Sequence, residues 1–330
     1  MNTETFFTTR RNIVLIAALC AFFWGSAYPS IKIGYEIFHI SPNDIPTKLI
    51  FAGYRFSLSG IMVLLISTIK EKALKLPYKT DFSKILILGL FLTTAQYIFF
   101  YIGLSHTTGV NGAILNGTGT FYSVILAHFI YKDDYLNMRK TLGCFLGFIG
   151  IVIVNFSSDF RFAFNFFGDG FIIIAALISS SANIYSKFLS RSIDILILTG
   201  FQLLFGGILL VVLGYLTGGS LTGFTLKSTS LLIYMGFLSA AAFSLWTYLL
   251  KYNKVGEISF YNFLIPIFGA ILSSLFLGER FLNTKNILAL FFVCIGIYFH
   301  SSYFGIGIYI VNKDDGKIYN WKIVKLKRTK

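Results

Sequence analysis

The chain has 330 residues, 55% of them hydrophobic, 18% aromatic and only 13% charged, against the ~25% charged share of an average soluble domain. Apolar runs near ~20 residues alternate with short polar clusters, which matches the ~30 Å hydrocarbon thickness at about 1.5 Å rise per residue and excludes a soluble globule. The net charge of +14 lies in loops beside apolar runs, so it speaks to membrane orientation and not to a nucleic-acid partner.

Ten spans are expected, each helical because the bilayer offers its backbone no water. In chain order they are residues 12–33, 48–69, 85–104, 110–130 and 141–156, then 168–188, 195–216, 231–250, 258–277 and 287–303, the last able to continue toward Val311. The first is preceded by Arg10 and Arg11 like a signal peptide. It runs on for a full span without a small-residue cleavage site, so it reads as a retained helix. Cys20, Cys144 and Cys294 each fall inside an apolar run and read as small hydrophobes.

Loop charges orient the chain. With the N-terminus in the cytoplasm, the inner loops take Arg10, Arg11, Lys70, Lys72, Lys75, Lys79, Lys84, Lys132, Arg139, Lys140, Lys187, Arg191, Lys251, Lys254 and the basic tail after Val311. The outer side holds Lys48, Arg161, Lys227, Arg280 and Lys285. Both termini are therefore expected inside a cytoplasmic (inner) membrane, which requires an even number of spans.

The sequence also repeats. Residues 116–151 align without gaps on 262–297, pairing Asn116 with Asn262, Asn137 with Asn283 and Gly150 with Gly296, with Asp133 opposite Glu279. A repeat of five spans is odd, so its copies insert with opposite orientation. The fold class expected is an all-α integral membrane protein of ten transmembrane helices in two inverted five-helix repeats. The divisions are a cytoplasmic N-terminus (1–11), the first repeat (12–156), a connecting loop (157–167), the second repeat (168–304) and a basic tail (305–330).

The segments FFWGSAYPSIKIG from Phe22, YRF from Tyr54 and SLFLGERFLNTKNILALFFVCIGIY from Ser274 resemble the drug/metabolite transporter superfamily, specifically EamA-type transporters. The resemblance spans roughly residues 12–303 and implies a 5+5 inverted fold around a central cavity. The first copy departs from it, with IYKDD where the second has Leu-Gly-Glu, and Thr120 opposite Pro266. The tail from Lys313 lies outside it.

Several residues are candidates for the transport path. Gly112, Asn116, Thr120, Ser123 and Ala127 share one face of the fourth span, and Asn262, Pro266, Gly269 and Ser273 repeat that spacing in the ninth. Such stripes serve close helix packing, and they equally suit a cavity near the midplane where Gly or Pro frees backbone groups. Asn116 and Asn262 are the candidate substrate contacts, since an amide offers donors and an acceptor without a buried charge. Pro29 kinks the first span, and with Pro266 and Gly112 it is a candidate gating position. Trp24, Tyr101 and Trp246 offer aromatic surface. Arg55 lies well inside the second span, where burial demands a partner or a wet cavity. Lys32 and Lys187, nearer span ends, either snorkel to water or contact an anion.

These features point to a secondary transporter that moves a small organic solute, an amino acid or related metabolite, by rocking two halves about a midplane site. Export is implied by the resemblance alone. A membrane-embedded enzyme would need a nucleophile, base or metal cluster at one depth. His39, His106, His128 and His300 do not gather, so no metal or cofactor is called for. A passive channel would need a selectivity-filter loop, and none is recognisable.

Overall fold

The computed structural model describes residues 2–72, 76–107, 112, 115–155, 164–278, 287–288, 291–292, 294–296, 307–309 and 322–324. A short helix α1 (Thr3–Thr8) docks through Phe7, whose ring stacks on Tyr248 at 4.8 Å. Seven helices among the described residues are long and apolar enough to cross a bilayer. They are α2 (Arg10–Ile37), α3 (Ile45–Glu71), α4 (Lys79–Ser105), α7 (Phe166–Leu189), α8 (Ile195–Leu216), α9 (Leu226–Tyr252) and α10 (Val255–Leu277). Between them lie α5 (Thr118–Ile130) and α6 (Met138–Asn155). The expected tenth span falls largely outside the described residues.

The long helices outrun the apolar stretches that announce them, because polar end residues cap or extend the spiral. Asp44 accepts from Thr47 N–H at 3.0 Å to start α3, and Asp194 accepts from Leu196 N–H at 2.9 Å to start α8. A Thr225–Ser228 capping box starts α9. α2 continues past Pro29 to Ile37, which leaves Lys32 inside the helix and not at its end. One departure from an all-helical chain lies in the tail. Gly307–Tyr309 and Lys322–Val324 pair as antiparallel strands, so the tenth span does not continue as helix toward Val311.

Helices meet outward-facing lipid surface on one side and each other on the other. Ile69, Phe129 and Leu275 are more than 70% exposed, the reverse of a soluble fold and the requirement of one solvated by lipid. The closest seam joins α3 to α8. A Cβ on Gly207 would lie 2.4 Å from Ser57 N, and one on Gly60 would lie 2.7 Å from the Gly200 carbonyl. Only glycine lets two backbones touch in this way.

Hydrogen bonds sort the helix ends. Asn253 donates to the Phe7 carbonyl at 2.9 Å, and Lys187 donates to the Asn253 carbonyl. Tyr131 donates to the Ile184 carbonyl at 3.3 Å, and Asp134 accepts from Gly256 N–H at 2.8 Å. The start of α2, the ends of α5, α7 and α9 and the start of α10 thus share one end of the bundle. At the other end Lys48 donates to Ser105 Oγ at 2.8 Å and Thr107 donates to Asp169 Oδ1 at 3.1 Å. These bonds gather the start of α3, the end of α4 and the start of α7 there.

Candidate functional site

Three helices lose their regular spiral beside one interior space. In α10 an α-helical turn (Val255–Ser259) passes into a 3₁₀ turn (Phe260–Phe263) and then back to α-helix at Leu264. Pro266 explains the break: it has no N–H for the Asn262 carbonyl four residues earlier, and its ring crowds that carbonyl. In α5 the helical positions Leu115 and Asn116 are separated from Thr118 by a turn at Gly117. In α4 a π-helical turn, Leu90–Ala95, directs Thr93 to Gln202 Oε1 at 2.8 Å and Thr94 to the Gly206 carbonyl at 3.1 Å. The wall residues Gln96, Tyr97 and Phe100 follow it. Such π-turns inside α-helices often mark functional sites.

The space is a central cavity of about 90 Å³. Its wall takes Trp24, Ala27, Tyr28 and Ile31 from α2, Arg55 from α3, Phe243 and Trp246 from α9, and Asn262 and Ile265 from α10. Asn116, Gly117, Gly119 and Ser123 come from α5 and the turn before it, and Ala176, Ser179, Ser180 and Asn183 from α7. Trp24 and Trp246 meet edge to face at 5.2 Å, a geometry that aromatic quadrupoles favour. Ser180 donates to the Gly119 carbonyl at 2.7 Å and ties α7 to α5. Arg55 is 1% exposed and is, among the described residues, the one formally charged residue on this wall. Its Nε–H donates to Ser239 Oγ at 2.8 Å, and its guanidinium lies 4.9 Å from the Phe56 ring centre.

Six of the residues singled out from sequence therefore come together on the wall: Trp24, Arg55, Asn116, Ser123, Trp246 and Asn262. The others stand elsewhere. Thr120 is fully buried and donates to the Ser259 carbonyl at 3.1 Å, joining α5 to α10. Tyr101 is fully buried behind the wall against Tyr97 and Tyr35. Pro29 and Pro266 each adjoin a wall residue without reaching the space. Gly112 packs on the end of α4, where a Cβ would lie 3.0 Å from Leu104 Cδ1. Lys187 is held by the Asn253 carbonyl over the Tyr131 ring, away from the cavity. Lys32 is off the wall as well. Gln96, Asn183 and the Ser179–Ser180 pair join the wall without belonging to either stripe; their signal in the sequence is a polar residue inside an otherwise apolar span.

At the end of the bundle where α5 and α7 finish, the α5–α6 connection closes on α10. Asp134 pairs with Lys140, both nearly fully buried, while its second oxygen takes the Gly256 N–H. A Cβ at Gly256 would fall 2.9 Å from Asp134 Oδ1, so any larger residue there must push the ion pair aside.

The pattern of the EamA-like transporter family matches residues 11–156 and again residues 166–302. The chain belongs to the EamA-like transporter family. Relatives of this EamA-like protein include the uncharacterized transporter YoaV of Bacillus subtilis, 23% identical over 84% of this chain and 92% of that one. An uncharacterized transporter of Archaeoglobus fulgidus is 26% identical over 81% and 89% of the two chains. A solved crystal structure shares the fold with a TM-score of 0.70 at 14% identity, over 89% of this chain and 97% of its own. The EamA-like family and these relatives are transporters and not enzymes, so this is a multi-pass membrane transporter with a small-molecule substrate.

Proposed function

We propose that the protein is a secondary carrier that moves a small organic solute, an amino acid or related metabolite, outward across the cytoplasmic membrane by alternating access. The central cavity is its substrate site. Ten spans form two inverted five-helix repeats (12–156 and 168–304) with both termini in the cytoplasm.

One observation carries the reading. Asn116 and Asn262 occupy matching positions of the repeat, each at a break in its helix, and both lie on the wall of the same cavity. The sorting of helix ends supports inversion: α5 runs toward the end of the bundle at which α10 starts, and α7 runs opposite to α2. Broken helices at a repeat interface are where carriers place their ligands, because freed backbone groups and amides there can bind solute without a permanent charge.

The test is uptake by the purified protein in proteoliposomes challenged with pooled metabolites, followed by Asn116→Ala and Asn262→Ala. Each substitution is expected to reduce transport more than it reduces folded protein. Parallel losses of both would assign the amides to packing.

A further inference from the structure

Arg55 is buried in a membrane span, yet among the described residues no carboxylate pairs with it. A guanidinium has five donor hydrogens, and Ser239 takes only the one on Nε. An uncompensated buried cation is costly enough that such residues face a wet cavity or a counter-charge. Around this one the described residues supply neutral hydroxyls and no anion. The Tyr101 hydroxyl lies against the guanidinium, and the Tyr35 hydroxyl feels its charge and is buried without a hydrogen-bond partner. On the cavity wall itself the Gln96 carbonyl oxygen, in a side chain 8% exposed, is also unpartnered, an acceptor waiting for an O–H or N–H. Trp24 and Trp246 offer an apolar face across the same space.

We propose that the substrate is a monoanionic carboxylate on an apolar body, with Arg55 reading the carboxylate and Gln96 accepting from a neighbouring hydroxyl. The inference rests on the cavity being the carrier's substrate site and adds its charge class, which selects the related metabolite over the amino acid itself. A monoanion cancels the single positive charge of the wall. A zwitterion leaves that charge standing and brings an ammonium for which the described wall residues hold no carboxylate. The planar fork of arginine suits two-point carboxylate binding, which a lysine does not reproduce.

Three probes of one skeleton separate these cases: 3-phenyllactate (anion), phenylalanine (zwitterion) and 3-phenyllactamide (neutral). They are titrated calorimetrically into the full-length protein in nanodiscs. A charge-assisted contact predicts that phenyllactate binds about tenfold or more tightly than either of the others. Arg55→Gln and Arg55→Lys should each erase most of that advantage, and the wild-type series decides the matter even where a variant does not fold. Equal or tighter binding of phenylalanine or phenyllactamide overturns the charge assignment and leaves the carrier reading standing. Binding by none of the three also overturns it, and pooled-metabolite uptake then judges the carrier reading separately.

Discussion

The pairing of Asp134 with Lys140 shows what a single residue can hold at the end of this bundle. Both side chains are nearly fully buried, and the carboxylate also receives the Gly256 N–H. Removing one partner of a buried pair strands the other, at a cost of about 3–5 kcal/mol. Asp134→Asn should therefore lower the thermal unfolding temperature in detergent sharply, and adding Lys140→Met should recover much of the loss. A single variant as stable as the parent would show that the pair is dispensable, and a double variant no more stable than the single one would show that the loss does not come from a stranded lysine. Residues of this kind were hard to read in advance. Asp133 and Asp134 differ by one position in a polar loop, and only the approach of α10 distinguishes the buried one. Arg55 was legible because a charge inside a span is conspicuous, and the two asparagines because they recur at one spacing. Helical spacing puts Thr120 on the same stripe as Asn116. Asn116 and Ser123 both reach the wall, whereas Thr120 between them is taken up by the Ser259 carbonyl.

At the scale of elements, apolar length marks the seven long spans seen among the described residues, but their ends poorly. Capping residues and polar first turns lengthen α3 and α4 beyond the hydrophobic stretch, and no hydropathy signal marks them. The interruptions were legible only where proline causes them. Pro266 foretells the 3₁₀ turn of α10, whereas the π-turn of α4 has no proline or glycine within it. Pro266→Ala restores an N–H for the Asn262 carbonyl and removes the ring conflict. It should leave thermal stability equal or higher while lowering transport per folded molecule severalfold; undiminished transport would make the break incidental. Gly207→Val has the opposite profile. Its side chain would enter space held by Ser57 N, and overpacking of this kind costs about 1–3 kcal/mol or more. Size-exclusion chromatography after heating should show less monodisperse protein than for the parent.

For the whole molecule, topology is the first thing to check. Reporter fusions at Lys330 and in the loop around Arg161 are expected to signal from opposite faces of the membrane, the C-terminal one from the cytoplasm. Signals from one face would overturn the inverted arrangement. The seam between α3 and α8 bears on how such a molecule can move. Side-chain contacts slide and re-form by changing rotamer, but main-chain atoms meeting across glycine have no rotamer to change. They stay together or come apart. That seam is a weld, not a bearing. In the proposed carrier it would join a helix of the first repeat to one of the second, so α3 and α8 are expected to travel as one piece, and the moving units would not be the two halves of the sequence.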